Sequence, residues 1–164
     1  MGVILGFGLG ELSRIIRGWY HCRRLKKALF DELVVNYHLI DQKKGNLSQI
    51  IDALENKQIL RGESVHAATT IYDSCISEII GSLQPIYRDN LHIIYERLKM
   101  NDTLLDHFYS GVTRDIQQQI LRDPWLAYKK QLTDMSNSYA IVQSLIKDVV
   151  AKSPQDVMYR HSKK

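Results

Sequence analysis

Residues 128–149 read YKKQLTDMSNSYAIVQSLIKDV, with apolar side chains spaced alternately by four and three positions. This heptad spacing predicts one long α-helix whose apolar seam packs along its whole length. Asp123 and Pro124 precede it as a helix start, and Pro154 follows as a stop. The seam residues are Tyr128, Leu132, Met135, Tyr139, Val142, Ile146 and Val149. The spacing leaves open whether the partner is a helix of the same chain or of another subunit.

The rest of the chain also has helical periodicity. Apolar residues recur at spacings of three and four, and only Gln58–Leu60 is arguable as a strand. The predicted boundaries are a stop at Gly45 and Asn46, N-caps at Ser64 and Asp102, a proline start at Pro85 and a possible break at Gly111. The sequence therefore predicts an all-α fold, a helical bundle of about five helices with an N-terminal apolar and amphipathic helix.

Composition limits the class of protein. The chain has 164 residues, of which 45% are hydrophobic and 24% charged, as expected for one globular domain. The only cysteines, Cys22 and Cys75, are too few for a disulfide framework and indicate a reducing compartment. We expect an N-terminal membrane-associated or oligomerisation segment at residues 1–22, the bundle at 23–153 and a disordered tail at 154–164.

Basic residues are concentrated near the N-terminus. Up to Phe30 the chain has six lysines and arginines and one acidic residue, whereas the remainder has 16 basic and 17 acidic residues. A nucleic-acid binder spreads its cations over a face of the folded domain to follow the phosphates, so the near-neutral body disfavours broad nucleic-acid binding.

The N-terminal segment has a membrane-like order of residues. It begins MGVILGFGLG, and the aromatic pair Trp19 and Tyr20 and a basic cluster follow. A cleavable signal peptide has its positive charge before the apolar run, so we expect this segment to be retained, with the body on the cytoplasmic side. The residues predicted to contact headgroups, fix the depth or line an assembly are Glu11, Arg14, Arg17, Trp19, Tyr20, Arg23, Arg24, Lys26 and Lys27.

Three placements of this segment remain open. Glu11, Arg14 and Arg17 fall inside the only window available for a spanning helix, which makes a lone transmembrane helix costly. The segment can instead lie in the membrane interface with Leu12 and Trp19 on its apolar side. It can assemble with other copies so that its charges face one another, or it can fold back onto its own bundle.

Catalytic motifs are sparse. The six histidines lack metal-ligand spacing, so no metal, cofactor or enzymatic activity is predicted. Arg61 and His66 have the Arg-x4-His spacing of HEPN ribonucleases, in which imidazole transfers a proton beside a cation that steadies the phosphate. Gly62 follows the arginine where that family has a polar residue, and Arg88 with His92 is one residue too short.

As an architecture, the apolar N-terminus, the basic run and the helical body resemble the small membrane accessory proteins of bacterial antiviral systems, such as the type VI CRISPR accessory pore proteins. That resemblance implies a ring-forming protein with a degenerate HEPN-like body, at the cytoplasmic face of the inner membrane. The function predicted is non-enzymatic: self-assembly of a homo-oligomer on an anionic membrane surface, with perturbation of that membrane. The alternatives are a cytoplasmic helical module that binds a protein partner through the 128–149 seam, and a HEPN-type ribonuclease.

Overall fold

The computed structural model describes residues 2–60, 62, 65–118 and 123–151, with side chains described from Gly10 onward. These residues form four α-helices, with no β-strand, so the all-α prediction is confirmed. The helices are α1 (Gly2–Glu55), α2 (Thr70–Ile79), α3 (Pro85–Gln117) and α4 (Pro124–Val150), and a short 3₁₀ turn, Ile80–Ser82, joins α2 to α3.

Long side chains link the two long helices α1 and α3, through Glu32 with Tyr95 and through Lys43 with Asp102. α4 packs against both α1 and α3. Its Lys129 pairs with Glu55 near the end of α1, and Gln143 bonds Asp41 a few turns earlier, so α4 is antiparallel to α1. α2 packs against the preceding part of α1, where His21 meets Glu78. The core lies where these helices meet.

The prediction of about five helices is corrected because three predicted boundaries, at Gly45 with Asn46, at Asp102 and at Gly111, lie inside helices. α1 continues through Gly45 and Asn46, since Lys43 and Leu47 on either side of them are buried against the bundle. Packing of a whole helical face outweighs the roughly 1 kcal/mol that glycine costs in a helix. α1 ends instead at Glu55, and Lys57, with a φ of 56°, is the left-handed residue of a Schellman turn in which Gln58 N bonds Ala53 O.

The predicted fourth and fifth helices are likewise one helix, α3. Asp102 is not an N-cap but a buried residue of α3, and Gly111 is helical and buried. Ser64 lies outside the described residues. Gln58–Leu60, the arguable strand, is irregular.

The start of α2 is capped by a side chain from another helix. Neither Thr69 nor any other local side chain caps it. The buried carboxylate of Glu32 on α1 accepts hydrogen bonds from Ile71 N at 2.7 Å and Tyr72 N at 3.1 Å. It also accepts from Tyr95 Oη of α3 at 2.8 Å, so one side chain holds α1, α2 and α3 together.

Polar side chains of α1 and α3 also hold the chain that leads into α2. The side-chain amide of Asn36 bonds both the nitrogen and the oxygen of Ala68, at 2.8 and 2.7 Å. Asp102 accepts from Ala67 N at 2.6 Å and forms a buried ion pair with Lys43. These bonds hold residues 65–69, which have no regular secondary structure and whose backbone groups therefore need partners from elsewhere in the chain.

Candidate functional site

The most unusual surface is the first part of α1, residues 2–20, which we call the arm. From Gly10 to Tyr20 every described side chain except that of Glu11 is exposed, on all sides of the helix. The arm therefore extends from the bundle as a free helix. At 1.5 Å per residue it is about 28 Å long, within an α1 of about 80 Å.

The arm exposes large apolar side chains on one side. Leu12 is 54% exposed, Ile15 65%, Ile16 47%, Trp19 54% and Tyr20 59%. The first four share one face at the helical repeat. Exposed apolar residues scattered singly are ordinary, whereas a contiguous row of this kind marks an interaction surface.

The polar side of the arm is organised by local contacts. Arg14 pairs with Glu11 at 3.0 Å, and Arg17 Nε donates to Ser13 O at 3.3 Å. These partners lie within one turn, so the guanidinium groups remain at the surface and available to an external anion.

Aromatic and basic groups meet where the arm joins the bundle. Trp19 and Tyr20 are in edge-to-face contact, with ring centroids 5.1 Å apart. The guanidinium of Arg23 lies over the Trp19 ring at 5.4 Å. Arg24 and Lys27 are exposed. An aromatic pair followed by cations is the arrangement that sits at headgroup depth in membrane proteins.

Lys26 differs from the other predicted cations. It is buried, and its ammonium donates to Ser82 O at 3.3 Å. It therefore joins α1 to the turn after α2 instead of facing outward. Its aliphatic stem fits the core face of α1 while its charged end reaches a carbonyl.

The seam of α4 is internal. All seven residues from Tyr128 to Val149 are buried within the chain. The seam packs against α1 and α3, which answers the question that its spacing left open. It is not free to bind a partner helix in this fold.

Of the two HEPN-like residues, only His66 lies within the described residues. His66 is exposed, and its Nε2 lies 2.9 Å from Asp106 Oδ2. Arg61 lies outside the described residues, and the neighbouring Gly62 packs against Tyr109. Within the described ranges, no three histidine, cysteine or acidic side chains cluster as metal ligands.

A cavity that the sequence did not reveal lies between α2 and α3. Its volume is about 400 Å³, and its walls are Tyr72, Ile76, Ile80, Pro85, Arg88, Asp89 and His92. The sequence signal was the pair Arg88 and His92, one turn apart on α3. The apolar wall comes from another helix, so spacing along the chain could not show that a cavity lies beside this pair.

Comparisons with protein-family models, curated proteins and solved structures found no match to the chain. Among the residues that the structure describes, no helix has a stretch both long and apolar enough to cross a bilayer.

Proposed function

We propose that this chain is a non-enzymatic helical protein that binds an anionic membrane surface through its arm and acts there by self-assembly. The observation that carries the proposal is the exposed apolar face of the arm, next to exposed cations. A free amphipathic helix of this kind lowers its free energy by placing its apolar face at the boundary between headgroups and acyl chains.

The apolar contribution is large enough to hold the protein at a membrane. Full burial of a large apolar side chain is worth about 1.5–3 kcal/mol. Leu12, Ile15, Ile16 and Trp19 are each about half exposed or more, so insertion of their face into the interface removes a large part of that area from water. We expect each of these four side chains to contribute about 1 kcal/mol to the free energy of membrane binding.

Electrostatics adds to this attraction and favours a helix that lies flat. Five exposed cations, those at positions 14, 17, 23, 24 and 27, each contribute about 1 kcal/mol at an anionic surface. Glu11, Arg14 and Arg17 interrupt the apolar residues, and a charge at the centre of a bilayer costs at least about 2.5 kcal/mol. A helix in the interface avoids that cost because its charged side stays in water.

Flotation with phosphatidylglycerol vesicles tests the proposal. The variant Ile15→Gln/Ile16→Gln/Trp19→Gln should lose about 3 kcal/mol of membrane affinity, a decrease of roughly a hundredfold in the partition coefficient. The matched control replaces three exposed apolar residues outside the arm, Met100, Leu126 and Ile141, with glutamine. Equal flotation of wild type and arm variant would contradict the proposal.

Self-assembly has a separate test. Cross-linking on vesicles should trap oligomers of the wild type, since binding concentrates the chains in two dimensions. It should trap only monomer for the arm variant. A wild type that binds vesicles but stays monomeric at high surface density would exclude assembly as its mode of action.

A specific feature of α1 also favours a second candidate, a module that binds a partner helix through the arm. Leu12, Ile15 and Trp19 continue a heptad spacing that runs along α1 to Leu54. Its positions from 26 onward are all buried in the bundle: Lys26, Leu29, Leu33, Asn36, Ile40, Lys43, Leu47, Ile50 and Leu54. The exposed part of this seam has the heptad spacing that is typical of a coiled coil. Arm-dependent oligomers in solution, with no binding to vesicles, would favour this candidate.

A further inference from the structure

The cavity between α2 and α3 is lined by a cation, Arg88, that forms no ion pair with any residue that the structure describes. Its buried Nε has no hydrogen-bond partner among these residues. A buried donor left unpaired is costly, and guanidinium is a fork of donors that matches the oxygens of phosphate or carboxylate. An anion in the cavity would give this guanidinium an opposite charge that no described residue supplies.

Two further features of the cavity favour an anion. His92 lies one turn beyond Arg88 on the same side of α3 and also lines the cavity. Pro85, at the first turn of α3, forms another part of the wall, and no side chain caps that helix start. The N-terminal end of a 33-residue helix carries partial positive charge, which adds to that of the guanidinium.

The remaining walls limit what the anion is attached to. Tyr72, Ile76 and Ile80 form an apolar side, which suits a carbon skeleton better than a second phosphate. Asp89 also lines the cavity, and its carboxylate opposes ligands with several negative groups. These walls disfavour nucleic acid and polyphosphates.

We propose that this cavity binds one phosphate monoester group, with Arg88 as the principal ligand and His92 as a second donor. The site shares no residue with the arm. It lies at the end of the bundle from which the arm extends, because Ser82, in the turn between α2 and α3, contacts both Cys22 and Lys26 of α1. The monoester therefore comes either from a soluble phosphorylated metabolite or from a lipid headgroup.

Calorimetric titration of the full chain with glycerol 3-phosphate and with inorganic phosphate tests binding. Wild type should bind with a saturable isotherm, and Arg88→Gln should weaken binding about tenfold or more, as expected for loss of charge-assisted bonds. Arg97→Gln is the matched control, because Arg97 is on the same helix but does not line the cavity. No saturable binding at millimolar ligand, or equal affinity of Arg88→Gln and wild type, would overturn the proposal.

A second variant covers the case in which Arg88→Gln fails to fold, as judged by circular dichroism. His92 is exposed, so His92→Gln leaves the core intact and should weaken binding several-fold. Unchanged affinity in His92→Gln would remove the imidazole from the site and overturn the two-donor arrangement.

Vesicles distinguish the two sources of the monoester and separate this site from the arm. Phosphatidic acid presents a monoester, whereas phosphatidylglycerol presents a diester. If the ligand is a lipid, Arg88→Gln should reduce only the preference for phosphatidic acid, and the arm variant should reduce binding to both. If the ligand is soluble, Arg88→Gln should leave binding to both kinds of vesicle unchanged and should weaken the binding of glycerol 3-phosphate. An equal loss on both vesicles would show that Arg88 acts only as a general surface cation and would overturn the site.

Discussion

Replacement of Glu32 by glutamine tests whether α2 depends on a cap supplied by α1. The carboxylate of Glu32 accepts from Ile71 N, Tyr72 N and Tyr95 Oη, and within the described residues it forms no ion pair. Glutamine has nearly the same shape but only one accepting oxygen, so at least one buried N–H at the start of α2 loses its partner. The side chain is 6% exposed, so water cannot replace the lost acceptor.

The expected loss is about 2–3 kcal/mol in the free energy of unfolding. An unpaired buried donor costs about 1–3 kcal/mol, and loss of the negative charge beside the helix start removes roughly another 1 kcal/mol. Relief of the desolvation of the buried carboxylate offsets part of this sum. For comparison, Glu55→Gln removes an exposed partner of Lys129 and should cost less than about 1 kcal/mol.

Urea unfolding followed by circular dichroism measures these values, and amide hydrogen exchange locates the effect. Protection of Ile71 and Tyr72 should fall in Glu32→Gln more than protection in α4, because the lost bonds are at the start of α2. A double-mutant cycle with Tyr95→Phe should show coupling, since both side chains share one hydrogen bond. Unchanged stability, or unchanged amide hydrogen exchange at the start of α2, would refute the capping of α2 by Glu32.

Two other predictions concern backbone continuity and alkaline stability. Gly45→Ala should raise the free energy of unfolding by about 0.5–1 kcal/mol, because Gly45 is helical and an added Cβ meets no atom within 4 Å. A loss of stability in urea unfolding would show that α1 is broken at this position. Burial and the hydrogen bond to Asp115 raise the pKa of Tyr128 from 10.0 to about 12. The unfolded state therefore releases this proton above pH 10, whereas the folded state keeps it up to about pH 12. The contribution of Tyr128 to the free energy of unfolding is fully present below pH 10, and roughly 2–3 kcal/mol of it is lost between about pH 10 and 12. Tyr128→Phe should reduce this decline in urea unfolding across the window, and identical declines would contradict the assignment.

Much of the fold follows from periodicity. The α4 seam predicted a long helix that packs along its length, and each of its seven residues is in the core. The apolar side and the basic side of the arm could also be predicted from the sequence, because the spacing of residues along a helix decides which of them share a side. That pattern did not show that the arm extends from the bundle, since folding back was equally compatible with it.

The seam of α1 was harder to recognise because polar residues occupy three of its buried positions. Lys26, Asn36 and Lys43 interrupt the apolar spacing of this seam, and the sequence predicts a helix stop at Gly45 and Asn46. Each of these side chains has a specific partner elsewhere in the chain: Ser82 O, the backbone of Ala68 and the carboxylate of Asp102. Such partners are defined only by the folded arrangement, so hydrophobicity alone does not identify these positions as buried.

By itself the sequence determined the helical class, the core face of α4 and the concentration of cations beside an apolar N-terminal helix, because these depend on residues close together in the chain. Only the tertiary structure decided that α1 is one helix, that the Glu32 carboxylate caps the start of α2 and that Arg88 lines a cavity. Those features depend on groups from different helices, whose burial and hydrogen bonds exist only after packing has brought them together.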